Sequence, residues 1–113
     1  MSFPIRGELW MVALDPIIGS EIGKVRPAVV ISNDRNNEYS NTITVLPITS
    51  KVHDVYPFEV FLSKEEYKLT TDSKIKCNQI RTLDKSRLIR AVCHLCPSTM
   101  NEVEQALLIH LGI

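Results

Sequence analysis

Polar residues stand where the chain's apolar runs begin, end or are interrupted. Arg26 directly precedes Pro27 and the apolar run 28–31, Thr49 directly follows the run 42–48, and Gln79 and Arg81 interrupt the alternating segment 74–83. Upstream of Arg26 lies Gly19-Ser20-Glu21-Ile22-Gly23-Lys24-Val25, in which two of the chain's four glycines bracket a hydroxyl and a carboxylate. Glycine opens backbone conformations closed to other residues, so this connection is expected to be a shaped loop. A hydroxyl, a carboxylate and an arginine on one loop suit a phosphate-handling cleft, because the guanidinium offers a rigid fork of donors to phosphate oxygens. The same residues also admit a structural reading. An arginine or glutamine taken out of water costs free energy unless paired. Arg26 could pair with Asp15 or Glu21 and pin the loop, and Gln79 could satisfy loop carbonyls.

Other chemistries have little support. The chain has no Walker phosphate loop, no dinucleotide-binding glycine fingerprint and no HExxH. Its carboxylates are scattered, unlike the clusters that hold magnesium in nucleases. His53, His94 and His110 lie far apart in sequence. Cys93-His94-Leu95-Cys96 has the spacing of half a zinc site, but a structural site needs four ligands and no second such pair exists. No metal site and no cofactor are therefore expected. With Cys77 the cysteines number three, an odd count that argues against a disulfide framework. Cys93 and Cys96 read as small apolar side chains in a strand and its following turn.

These residues belong to a chain of 113 residues and 12.8 kDa, expected to form a single domain over 1–113. A domain near this size hides roughly two-thirds of its unfolded surface, enough for a core without staples. Hydrophobic residues make up 44% and charged residues 23%, which places the chain among globular proteins. Thirteen basic residues balance thirteen acidic ones. Binding by a bulk positive field is thereby excluded, and any nucleic-acid site must be a local basic patch. No run of 18 apolar residues occurs, so no transmembrane helix is expected. Met1-Ser2-Phe3-Pro4 lacks the pattern of a secretory leader, and a cytoplasmic protein is expected.

Short apolar runs separated by turn residues suggest a mainly β domain. The first strand spans 7–14, with Glu8, Trp10, Val12 and Leu14 on one face and Leu9, Met11 and Ala13 on the other. Both faces are largely apolar, so one can line a core while the other meets a second layer or a partner. Residues 28–31 form the second strand, 33–37 a polar turn, 42–48 the third strand and 49–54 a polar loop. The fourth strand covers 58–62. Ser63-Lys64-Glu65-Glu66 has capping-box spacing and predicts one helical turn. A fifth strand over 74–83 places Ile75, Cys77, Gln79, Arg81 and Leu83 on one face. The sixth spans 88–95. Thr99 and Glu102 have capping-box spacing at the head of a terminal helix, in which Met100, Val103, Leu107 and Leu111 recur at helical intervals. Beyond Ala106 this helix is apolar on nearly every side and wants further cover, which predicts a dimer contact. Trp10 and Phe58 are expected in the core rather than as stacking platforms.

Four blocks in register resemble the MazF/PemK toxins, the endoribonuclease halves of bacterial toxin–antitoxin pairs. They are Gly7-Glu8-Leu9-Trp10 and the segments at 19–32, 56–60 and 78–85. The resemblance covers essentially the whole chain. It implies a small SH3-like β-barrel of the CcdB/MazF type, with short helical turns and a C-terminal α-helix, acting as a homodimer. It also implies metal-independent, sequence-specific cleavage of single-stranded RNA, often mRNA, and an antitoxin whose acidic, flexible tail occupies the RNA groove. Arg26 matches the family's catalytic arginine, and Thr49 the catalytic threonine of the branch that pairs the two. Ser20, Glu21 and Gln79 match positions implicated in holding or acting on RNA. One departure stands out. A plasmid-borne branch carries Arg-Cys-Asp-Gln where this chain has Lys76-Cys77-Asn78-Gln79, which favours the Arg26/Thr49 pair over an arginine/aspartate one.

The implied chemistry needs no metal. The 2′-hydroxyl of RNA attacks the adjacent phosphorus, and the enzyme must accept a proton, protonate the leaving 5′-oxygen and stabilise a phosphorane. Arg26 suits the phosphorane oxygens, and Thr49 can donate to a phosphate oxygen. Arginine stays protonated and is a poor base; Glu21 is the better proton acceptor and His53 the weaker, and the residues alone leave that choice open. Lys24, Lys51 and Arg81 are candidate phosphate contacts, alongside recognition of unpaired bases. Two other readings use the same fold: a toxin that binds a protein such as DNA gyrase, and an inactive SH3-like binding module. Neither needs the Gly-Ser-Glu loop ending in Arg26 together with Thr49.

Overall fold

Successive side chains of a strand point to opposite faces, and three neighbouring strands here use that period to feed two cores at once. A computed structural model of the protein describes residues 3–113; Met1 and Ser2, the start of the segment read above for a leader, lie outside the described residues. Strand β1 (Glu8–Ala13) sends Leu9 to one side and Val12 to the other. In β2 (Val25–Val30) Val29 goes with Leu9, while Ala28 and Val30 go with Val12. In β3 (Thr42–Thr49) Leu46 and Ile48 join the first cluster and Ile43 and Val45 the second. The apolar character of both faces of β1 is thus used within the chain. The first cluster is closed by helix α3 (Pro97–Leu111) through Met100, Val103 and Ala106; the second takes partial cover from Trp10, Ile22 and Leu88.

The remaining elements are α1 (Asp34–Tyr39), β4 (Glu59–Leu62), α2 (Lys64–Tyr67), β5 (Ser73–Lys76), β6 (Arg81–Asp84) and β7 (Leu88–His94). The strands pair antiparallel in the order β4-β5-β3-β2-β1-β7, with β6 also on β3. The architecture is the expected mainly β, barrel-like one with a C-terminal helix, although β4 and β7 end the sheet without closing it. Strand β3 is the hub. Its first half pairs with β6, from Thr42↔Asp84 to Val45↔Arg81, and its end pairs with β5 through Ile48↔Ile75 and Thr49↔Lys74. Pro47, with no N–H to offer a ladder, sits in the changeover.

Several local expectations are corrected. The single strand over 74–83 is broken by a 3₁₀ turn at Cys77–Gln79, so Ile75 and Cys77 enter the first cluster and Leu83 the second. Alternation reads the same on either side of such a turn, which is why the break was hidden. Residues 33–37 are not merely a turn: Asn33 caps α1 by accepting the Asn36 N–H at 2.8 Å, and side chains that make turns also make N-caps. Ser63 does cap α2, through the Glu65 N–H at 3.3 Å. The capping box at Thr99 does not form. Helix α3 starts earlier, with Pro97 in its first turn, where a missing N–H costs nothing. Thr99 is consequently internal and buried. Of the expected helical stripe, Leu111 lies off the core at 52% exposure. Trp10 packs partly on the second cluster, but Phe58 belongs to neither; it stacks on Tyr56 at 5.6 Å and lies 6.4 Å from the ring of His110.

Candidate active site

Extending the Ala28↔Pro47 register by two residues sets Arg26 opposite Thr49. Even-numbered residues of β2 and odd-numbered residues of β3 face the second cluster, so these two side chains continue that face beyond the core. Twenty-odd residues of sequence separate them, and strand pairing alone brings them together. The Arg26 Nε donates to Gly23 O at 2.9 Å. No carboxylate forms an ion pair with it among the described residues, so the pairing with Asp15 or Glu21 weighed from sequence is not made. Its terminal amino groups stay available to a ligand. Thr49 is 7% exposed, and its hydroxyl oxygen accepts the Lys51 N–H at 3.2 Å, leaving the hydroxyl proton to donate.

The loop before Arg26 is folded by its own polar groups. The Asp15 carboxylate accepts the Lys24 N–H at 2.9 Å, and the Glu21 carboxylate accepts the Ile18 N–H at 2.7 Å. Gly19 takes φ +58°, and at Gly23 a Cβ would fall 2.4 Å from Asp15 Oδ1. One glycine is therefore needed for backbone angle and the other for space. Gln79 reaches across to accept the Ile22 N–H at 2.8 Å, and Arg81 donates to Ile22 O at 3.4 Å. The structural reading of Gln79 holds: its Nε2 donates to the loop carbonyl of Ser20 at 3.5 Å, and its Oε1 takes the Ile22 N–H as well.

Four shallow concavities share walls and form one groove. Ser20, Glu21, Lys24, Arg26, Thr49 and Lys51 border one of about 340 Å³. Arg26 and Thr49 also border a second, with Ser50, Thr70, Thr71 and Ser73. Thr49, Lys51 and His53 continue into a third with Lys74, Lys76 and Gln79, and Ser20, Glu21, Gln79 and Arg81 into a fourth. All eight residues singled out from sequence therefore line the groove, and His53 joins them.

This geometry can be set beside known proteins. A family model described as PemK-like, MazF-like toxin of type II toxin–antitoxin system matches residues 5–111. The chain belongs to this family. Endoribonuclease MazF9 of Mycobacterium tuberculosis is 42% identical to this toxin over 113 residues, with 96% of each chain covered. Among solved structures, MazF from Deinococcus radiodurans is similar with TM-score 0.86 and 29% identity, covering 100% of both chains. A MazE–MazF complex from the same organism gives 0.78 and 28%, covering 97% of each. The MazF-mt6 toxin of Mycobacterium tuberculosis gives 0.81 at 21% identity, over 94% of this chain and 97% of its own, a likeness of fold alone.

The toxin also carries groups that the sequence reading passed over. Glu59, buried on β4, bonds Lys74 Nζ at 2.8 Å and Lys76 Nζ at 2.7 Å. Burial would push its carboxyl up; the two ammoniums and the Tyr56 N–H overcome that and hold it below its ordinary value. The signal was a Lys-x-Lys on one strand and a glutamate on its neighbour, legible only once the register Glu59↔Lys76 is known. The Asn78 Oδ1, at the family position where another branch has aspartate, is buried without a hydrogen-bond partner among the described residues. Away from the groove, Cys93 lies in β7, one residue before its end, and Cys96 precedes α3, in the strand and turn expected. Hydroxyls of Ser98, Thr99 and Tyr67, with the Thr99 N–H, bring the Cys96 thiol down to about 6, whereas burial pushes Cys77 up to about 12. Among the described residues no helix is long and apolar enough to cross a membrane.

Proposed function

We propose that this type II toxin is an endoribonuclease whose groove cuts single-stranded RNA, mRNA included, at a short sequence and without a metal. The observation that carries the reading is Arg26 set across from Thr49, with the guanidinium's terminal donors unspent. The 2′-oxygen forms a bond to phosphorus as its proton leaves, and the bond from phosphorus to the 5′-oxygen breaks as that oxygen gains a proton. Arg26 holds the phosphorane oxygens, where charge develops, and Thr49 donates to a phosphate oxygen. Glu21 is the proton acceptor: it borders the same concavity as Arg26 and Thr49, whereas His53 borders the next. Lys24, Lys51 and Arg81 contact flanking phosphates, and Ser20 and Gln79 shape the loop against the RNA.

The likeness to a MazF that is solved with MazE supports a cognate antitoxin whose acidic tail competes for this groove. Leu108, Ile109 and Leu111 on α3 and Ile89 on β7 are exposed apolar side chains, which supports a symmetric homodimer. The protein acts in the cytoplasm, where mRNA is met. The deciding experiment incubates purified protein with a long RNA in EDTA and maps the cut ends. Discrete cuts by the wild type, absent with Arg26→Ala, are expected. Intact RNA, with inhibition of DNA gyrase instead, would overturn the reading.

A further inference from the structure

One wall of the groove is the segment 50–58, which carries Lys51 and His53 and is mostly exposed. A loop with so little apolar burial needs polar ties to hold one position. Lys74 supplies them. Its buried ammonium donates to His53 O at 3.1 Å, Asp54 O at 3.2 Å and Glu59 Oε1 at 2.8 Å. An ammonium has three protons to donate, and here each has an acceptor. The Glu59 Oε1 in turn accepts the Tyr56 N–H at 3.1 Å, so the latch grips the segment at 53, 54 and 56. Asp54 between these ties adopts φ +53°, a conformation aspartate visits only when something local rewards it.

We propose that Lys74 is a positioning residue for the RNA groove: it latches segment 50–58 so that Lys51 and His53 face bound RNA. The inference rests on the proposed function for its consequence, though not for the latch itself. Lys74 touches the loop's backbone and leaves phosphate binding to Lys51. The charge arithmetic makes the latch separable from the fold. Glu59 keeps Lys76 when Lys74 is lost, so no buried carboxylate is left unpaired.

The test is Lys74→Met, with hydrogen exchange and steady-state cleavage of a fluorescent single-stranded RNA. The amides of Tyr56 and Glu59, which donate to Glu59 Oε1 and Tyr56 O, should exchange several-fold faster as the segment loosens, while β2 and β3 amides stay protected. KM should rise several-fold with a much smaller change in kcat. Lys51→Ala should cost about fivefold in KM in the wild type and little in the Lys74→Met background, because partners in one device are not additive. Unchanged exchange at Tyr56 and Glu59 overturns the latch, whatever the RNA results. Faster exchange with unchanged KM, or additive effects of the two substitutions, overturns its role at the groove. Loss of cleavage sensitivity at both Arg26 and Lys51 would instead sink the RNA reading, while exchange still judges the latch. Should Lys74→Met fail to fold, Lys74→Gln, shorter and with two donors for three acceptors, loosens the latch in part, and smaller rises in exchange and in KM are expected.

Discussion

The groove beside Arg26 and the junction around Tyr67 each set a threonine hydroxyl among polar neighbours, and the two are bonded in opposite ways. At the junction, Tyr67 Oη meets Thr99 Oγ1 at 2.6 Å and Cys96 Sγ at 3.0 Å, and accepts the Cys96 N–H at 3.3 Å. Three side chains from α2, the start of α3 and the turn before it spend their bonding capacity on one another. In the groove, Arg26 spends one donor on Gly23 O and Thr49 one lone pair on Lys51. Polar groups that saturate each other hold elements together; polar groups fixed in place with capacity left over can meet a substrate. A threonine in the sequence does not reveal which of the two settings it occupies.

The largest expected effect breaks the groove alone. Arg26→Ala should lower cleavage by about a hundredfold to a thousandfold or more, as for loss of a transition-state donor. Its melting temperature should change little, since a half-buried side chain with one hydrogen bond is removed. Thermal melts beside RNA cleavage check this, and a large drop in melting temperature with proportionate loss of activity would place Arg26 in the structural class. Thr49→Ala should follow in severity, with at least tenfold lower kcat, because a hydroxyl contributes one uncharged donor.

The converse experiment breaks the junction alone. Tyr67→Phe strands the Cys96 N–H and leaves the Thr99 hydroxyl only Cys96 Sγ, at 3.3 Å, and should cost about 1–3 kcal/mol of stability in denaturant unfolding. Cleavage per folded molecule should be unaltered; a kcat that falls with it would merge the two regions.

A subtler consequence lies in the Cys96 thiol, which the surrounding donors lower to about 6. Its iodoacetamide alkylation should show a midpoint near pH 6, while Cys77, pushed up to about 12, stays inert. The lowered thiol also favours the folded state: that contribution is complete above the unfolded value near 9 and is lost as pH falls through about 6. Tyr67→Phe removes one donor and should move the alkylation midpoint upward. An unmoved midpoint would show that the tyrosine does not bond the thiolate.

The smallest expected effect belongs to the groove's rim. Lys51→Ala should raise KM a few-fold and reduce the slope of binding against salt by about one, the signature of one phosphate contact. An unchanged salt slope would make Lys51 a solvated surface charge.

Much of the groove was legible because the 19–26 loop is contiguous in sequence and its glycines, hydroxyl, carboxylate and arginine sit together before any folding. Gln79 and Arg81 were legible as polar interruptions of an apolar alternation, although their partner, Ile22, was not. Lys74 and Glu59 were missed because each looks like an ordinary solvated charge; only the pairing of β4 with β5 buries them together. Thr99 was misread for a related reason. The capping pattern and a buried hydroxyl look alike until Tyr67 is known to sit beside it.

Local structure follows from the residues in short windows. Alternation in β1, β2 and β3 dictates which residues share a face, because the strand's period of two is a property of the backbone. The apolar positions at helical spacing after Thr99 dictate a terminal helix, and the glycines dictate a shaped loop. Register and partner choice came with the folded chain: Arg26 against Thr49, Glu59 against Lys76, and the break that splits 74–83 between two cores. Register depends on cross-strand contacts between residues distant along the chain, and a slip of one residue sends every side chain to the other face. No short window of sequence contains that information, and the cleft exists only once it is set.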